Sequence, residues 1–69
     1  MEELKLRDEF IKLGQAMKAA GIVSSGIDAK MLIQDGQVTV NGEVETRRGK
    51  KLYDGDVSEF EGEEFKVVK

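Results

Sequence analysis

Residues 21–42, GIVSSGIDAKMLIQDGQVTVNG, decide the fold. Gly21 stands where a helix ends in a left-handed residue, a conformation that glycine adopts without a Cβ penalty. Ser24 and Ser25 then precede a periodic stretch, where a Ser oxygen can accept a bond from a first-turn amide. Asp28, three residues after Ser25, is placed to return that bond as a shortened capping box. Ala29, Leu32 and Ile33 form one apolar face over residues 26–35, and Gly36 closes the helix. Lys30 and Gln34 share a different face. Val38 and Val40 alternate with Gln37 and Thr39 as a strand. Asn41-Gly42 then signals a tight hairpin, because both residues tolerate positive φ.

The same logic extends outward. Leu13, Ala16, Met17 and Ala20 recur at helical spacing and predict a helix over 13–20, with Lys12, Gln15 and Lys18 on its other side. Residues 2–7, EELKLR, alternate weakly and suggest a short edge strand. Phe10 and Ile11 are expected to anchor the chain in the core, together with Phe60 and Phe65. Beyond the hairpin, Glu43–Thr46 begins a return strand and Asp54-Gly55-Asp56 makes a turn. Val57–Phe60 and Phe65–Val68 read as strands joined by a Glu-Gly-Glu-Glu turn. The expected fold is α+β: two helices packed on a small curled, mostly antiparallel sheet of four to five short strands. All 69 residues belong to one domain. Residues 1–11 are a strand and lead-in, 12–42 a helix–helix–hairpin unit, and 43–69 a basic loop with closing strands.

Composition narrows the function. A chain of this size buries only about 60% of its unfolded surface, so its stability rests on a small core. The chain has no Cys and no His, which removes the usual zinc ligands and the usual thiol and imidazole catalysts. No carboxylate cluster has metal-loop spacing, and no nucleophile–base pair or phosphate loop stands out; no catalysis, metal or cofactor is expected. No apolar run reaches membrane-spanning length and the acidic N-terminus is unlike a signal peptide, so a cytoplasmic protein without a membrane partner is the expectation.

Net charge is −3, but it is unevenly spread: −2 over residues 1–11, +3 over 12–51 and −4 over 52–69. Screening confines each patch to a reach of roughly 8–10 Å, so a basic centre acts locally despite the acidic total. Its densest part is Arg47-Arg48-Gly49-Lys50-Lys51, four cations in five residues. Arg forks engage phosphate oxygens in pairs, Lys supplies mobile point charge, and Gly49 lets a ligand approach the backbone. The competing interpretation is a solvated loop neutralised by Glu43 and Glu45. Lys12, Lys18 and Lys30 carry weight only if the helices bring them together with this knot. One of Ser24 and Ser25 is spent on capping, leaving the other for a phosphate. Asn41 combines a turn role with a lesser candidacy for contact at the loop tip. Tyr53 is the one aromatic suited to stacking, although its place beside Leu52 favours a structural role. The chain lacks the aromatic platform of a general single-strand binder.

The stretch Lys12–Gly42 resembles the S-four-type, or αL, RNA-binding domain. Gly21, Ser24-Ser25, Ala29-Lys30, Leu32-Ile33, Gly36 and Val38-x-Val40-Asn41-Gly42 carry the resemblance, and Leu52…Gly55-Asp56-Val57 is similar to that domain's closing region. The short length and the ETRRGKK run look most like the small stand-alone bacterial members. The resemblance implies binding of structured RNA through the two helices and the adjoining hairpin; the expected partners are ribosomal or transfer RNA and ribosomal proteins, with no DNA, and the expected state is a monomer. The resemblance places Ser25 and Lys30 on positions that usually face RNA, Lys12 where the family often has a basic residue at the first helix start, and Asn41 on the family's Asn-Gly turn. Gly14, Gly26 and Gln34 depart from the pattern, standing where acidic, basic and Arg residues are frequent. The expected contact set is Lys12, Gln15, Lys18, Ser25, Lys30, Gln34, Asn41, Arg47, Arg48, Lys50 and Lys51. Two alternatives stay open: an adaptor that keeps the fold and uses its acidic C-terminal region on a basic protein, and a module that delivers RNA to an enzyme in trans.

Overall fold

In the computed structural model, which describes residues 1–69, two helices lie against a curved sheet. Helix α1 spans Leu13–Ala19 and α2 spans Gly26–Gln34. Both end the same way. After α1, Gly21 has φ +78°, its amide donates to Lys18 O (3.1 Å), and Ile22 donates to Met17 O (3.0 Å). After α2, Gly36 has φ +79°, its amide donates to Ile33 O (3.1 Å), and Gln37 donates to Leu32 O (3.2 Å). These are Schellman closures, which satisfy the last free carbonyls and need a residue at ease with positive φ.

The helix starts differ from each other. Ser25 caps α2, its Oγ accepting from the Asp28 amide at 3.2 Å. The expected return bond from Asp28 to Ser25 is not made; the Asp28 carboxylate accepts from the Ser24 hydroxyl instead, at 3.2 Å. Helix α1 has no side-chain cap at all. Its first amides donate to a distant loop: Leu13 N–H to Lys50 O (2.8 Å) and Gly14 N–H to Arg48 O (3.0 Å).

The main sheet has five strands: β1 (Glu2–Lys5), β3 (Val38–Val40), β4 (Glu43–Val44), β6 (Val57–Phe60) and β7 (Glu63–Val68). Their spatial order is β1-β7-β6-β3-β4, antiparallel throughout except that β1 runs parallel to β7. The remaining two strands, β2 (Ile11–Lys12) and β5 (Lys51–Leu52), form a separate antiparallel pair with Ile11 opposite Leu52 and Lys12 opposite Lys51. The architecture matches expectation, with β1 at an edge as read. The second sheet was not anticipated: Lys51 belongs to a strand with Leu52 rather than to the basic loop. The return strand stops at Val44, short of Thr46. The last turn is tighter than Glu-Gly-Glu-Glu. Only Glu61 (φ +50°) and Gly62 (φ +82°) lie outside the strands, repeating the two-residue geometry of Asn41 (φ +53°) and Gly42 (φ +86°).

The core is one cluster. Leu13, Ala16 and Met17 of α1 and Ala29 and Ile33 of α2 meet Val38 and Val40 of β3 and Phe65 and Val67 of β7, with Leu6 and Leu52 closing the sides. Leu52 is fully buried, so the small second sheet is tied to the core through it. Ser58 is the one buried polar residue; its Oγ donates to Thr39 O at 3.0 Å. Phe65 is buried and Phe60 packs on the cluster, as expected. Phe10 corrects the reading. It is only partly buried and lies outside the core cluster, its ring against Tyr53 with centroids 5.9 Å apart.

Candidate functional site

The loop between β4 and β5 is tied to α1 by its backbone. Two of its carbonyls, on Arg48 and Lys50, take the free amides that open α1. An amide turn at a helix start has no internal partner, so this exchange satisfies both segments at once. Gly14 sits at the junction. A Cβ there would lie 3.6 Å from Arg48 Cβ and 3.9 Å from Ala29 Cβ, so the first turn of α1, the loop and α2 meet at ordinary contact distance. Gly26 has open space around it.

The result is a polar groove of about 390 Å³ between the helix starts and the loop. Lys12, just before α1, and Gln15 and Lys18 on it line one wall, spaced by three residues. Arg48 and Gly49 line the other, with Gly14 and Gly26 forming gaps where the backbone is accessible. No carboxylate lines it. A second hollow, about 540 Å³, adjoins on the far side of the loop, lined by Arg47, Gly49, Lys50, Lys51 and Tyr53. The merging of the α1 lysines with the knot, conditional in the sequence, is thus realised.

Ion pairing separates the knot's members. Arg47 donates Nε and Nη2 to the two oxygens of Glu45 (3.0 and 3.2 Å), and its backbone amide donates to the same carboxylate at 3.0 Å. These hydrogen bonds from Arg47 hold the Glu45 carboxyl below its ordinary pKa, helped by the nearby charges of Arg47 and Lys50, although partial burial opposes them. The same contact raises the Arg47 guanidinium. Local neutralisation therefore operates, but on Arg47 alone and through Glu45 alone. Lys12, Lys18, Arg48, Lys50 and Lys51 have no carboxylate within 4.0 Å. Lys12 and Lys51 even stand directly opposite each other in the β2–β5 pair, an arrangement of like charges that works against folding.

The other expected contacts are distributed differently. Lys30 and Gln34 are exposed but line neither hollow; they share the outer side of α2 with Ile27 and Met31, which are 72% and 64% exposed. Ser25, half-buried, uses its oxygen as the α2 cap and retains a hydroxyl proton to donate. Asn41 is built into the scaffold. Its Oδ1 accepts from Val57 N–H (3.0 Å) and its Nδ2 donates to Asp56 Oδ1 (3.1 Å), clamping the hairpin to the neighbouring turn. The role of the Arg48 and Lys50 carbonyls was not read from sequence, and no side-chain pattern encodes it.

Comparison with known proteins identifies the family and the fold. The family model described as "S4 domain" matches residues 4–68, and the chain belongs to that family. The Bacillus subtilis (strain 168) protein "Probable ribosome maturation protein RlbA" is 46% identical over 66 residues, spanning 94% of this chain and 93% of the relative. YbcJ of Escherichia coli (strain K12) is 40% identical over 58 residues, or 84% and 83% of the two chains. The solution structure of the E. coli YbcJ protein superposes with a TM-score of 0.77 at 36% identity, covering 100% of this chain and 89% of that one. It is described as revealing an αL motif involved in RNA-binding. The two helices on a mixed sheet are therefore the αL fold.

Proposed function

We propose that this chain binds structured RNA, ribosomal or transfer, by gripping phosphates across the groove between α1 and the 47–51 loop. The observation that carries this is the convergence of Lys12, Lys18 and Arg48 on one carboxylate-free groove, with Lys50 and Lys51 adjoining. Five cations that make no ion pair, in two adjoining hollows, are repelled by each other and attracted by a polyanion. Recognition is of shape and phosphate, since the groove offers charge and few base-reading groups. The names carried by RlbA and YbcJ, ribosome maturation and RNA-binding, support the same reading. The protein acts as a monomeric, non-catalytic module in the cytoplasm, where ribosomal RNA and its assembly intermediates are found. No helix is long and apolar enough to cross a membrane. Ser25, Lys30 and Gln34 flank the grip rather than form it.

The test is the salt dependence of binding to a ribosomal RNA stem-loop. Each neutralised phosphate contributes a slope of roughly −0.7 to −0.9 in log affinity per log salt. Five contacts therefore give a slope of about −4 and a loss on the order of a hundredfold between 50 and 200 mM salt. A slope near zero would refute phosphate gripping. Retention of a protein partner after nuclease treatment, with no RNA recovered, would favour the adaptor reading.

A further inference from the structure

Tyr53 is left over by the phosphate grip. Strand alternation turns Leu52 into the core and Tyr53 away from it, leaving Tyr53 48% exposed. Its backbone is fixed at both ends: Tyr53 N–H donates to Asp56 Oδ2 (2.8 Å) and Tyr53 O accepts from Asp56 N–H (3.0 Å). Its ring rests on Phe10 at 5.9 Å and a 53° tilt, and the ammonium of Lys51 lies 4.7 Å from the centre of that Phe10 ring. Phe10 thus contacts both a cation and Tyr53, and supports the Tyr53 ring. The open part of Tyr53 lines the same hollow as Lys50 and Lys51. A rigid, half-exposed aromatic with cations beside it has the parts of a nucleotide subsite: a plane for the base and charge for its phosphate.

We infer that Tyr53 is a stacking residue for an unpaired base, so that the RNA this protein selects carries a loop or bulged nucleotide beside the duplex gripped at Lys12 and Arg48. This rests on the RNA-binding reading and deepens it. A base stacked between neighbours inside a duplex presents no free face, so an uninterrupted helix would use the groove and leave Tyr53 empty.

The chain supplies its own reporter, because Tyr53 is its only Tyr and it has no Trp. Intrinsic tyrosine emission therefore reads this ring alone. Two probes are titrated into the full chain: a short RNA stem closed by an unpaired loop, and the same stem as a blunt duplex. Mobility shift reports binding and emission reports stacking. The expected result is that both RNAs bind but only the stem-loop quenches Tyr53. Stacking on one aromatic corresponds to a loss of about five- to a hundredfold on truncation. Tyr53→Leu should therefore weaken stem-loop binding by that factor and leave the duplex within about twofold, whereas Tyr53→Phe should bind like the parent. Stem-loop binding without quenching, or an equal loss on both RNAs in Tyr53→Leu, would overturn the stacking role while leaving the phosphate grip standing. Failure of both RNAs to bind would remove the RNA reading and this inference with it. If Tyr53→Leu does not fold, the emission of the parent protein decides alone.

Discussion

Lys12 provides a decisive test because folding and binding make opposite demands on it. It directly precedes α1, whose N-terminal end carries partial positive charge even with its first two amides bonded to the loop, and it faces Lys51 across the β2–β5 pair. Reversing it to Glu should help the free protein twice. An acid at a helix start is worth about 0.3–1 kcal/mol, reduced here because α1 is short. Converting a like-charged cross-strand pair into an opposite one adds about 0.2–1 kcal/mol. Together these give Lys12→Glu roughly 0.5–1.5 kcal/mol of added stability, or about +3 to +10 °C in Tm for a domain of this size. RNA affinity should move the other way, by at least tenfold at low salt, because one phosphate contact is lost and a repulsion is introduced, with the salt slope falling by about one unit. Lys12→Gln should lie between the two on both scales. Thermal melts by circular dichroism and salt-dependent mobility shifts measure the pair. A Lys12→Glu variant that melts lower than the parent, or that binds RNA as tightly, would show that Lys12 serves the fold and not a polyanion.

Three further outcomes follow from the geometry. Glu45 is held below its ordinary pKa by Arg47, so its pairing supports the folded loop above the unfolded carboxylate range, near pH 4.3, and is lost as pH falls through the lower folded value. Glu45→Gln should flatten the acid limb of the stability profile without changing stability at pH 7 by more than a small amount, and should free Arg47 to tighten RNA binding; an unchanged acid limb in pH-dependent melts would contradict the clip. Leu52→Ala should cost about 2–5 kcal/mol in urea unfolding, since Leu52 is fully buried and joins the second sheet to the core. Glu61 holds φ +50° in a two-residue hairpin turn, so Glu61→Asn should gain about 1 kcal/mol over Glu61→Gln, which removes the same charge without easing the backbone.

The elements that could be read from sequence are those whose signals are local. Gly21, Gly36 and Asn41-Gly42 each announce a positive φ, and the apolar spacing of Leu13, Ala16 and Met17 announces a face. The β2–β5 pair could not be read this way. Each strand has two residues, too few for periodicity, and each forms only because the other is brought to it from a remote part of the chain. The same non-local origin hid the capping of α1 by Arg48 and Lys50 carbonyls, since backbone acceptors are identical in every residue. Glu61 escaped notice because Glu carries no preference for the left-handed region. Phe10 was misplaced because an aromatic near a strand suggests core, whereas here it braces Tyr53. For the site, residue type marked Lys12, Gln15, Lys18 and Arg48 as contact candidates, and the fold lines one groove with them; helical spacing could not say that Lys30 and Gln34 do not line it.

The parallel pairing of β1 with β7 has a consequence for the order in which the molecule assembles. Glu2 lies beside Phe65 and Lys5 beside Val68, so the sheet joins segments separated by nearly the whole described chain. Closing so large a loop is entropically slow and comes after local contacts form. The helix pair and the Val38–Val44 hairpin need only near neighbours and can condense first. During synthesis, β7 must emerge before β1 finds its partner. Until then Phe65 and Val67 are missing from the core, and the RNA-gripping face rests on an unfinished foundation.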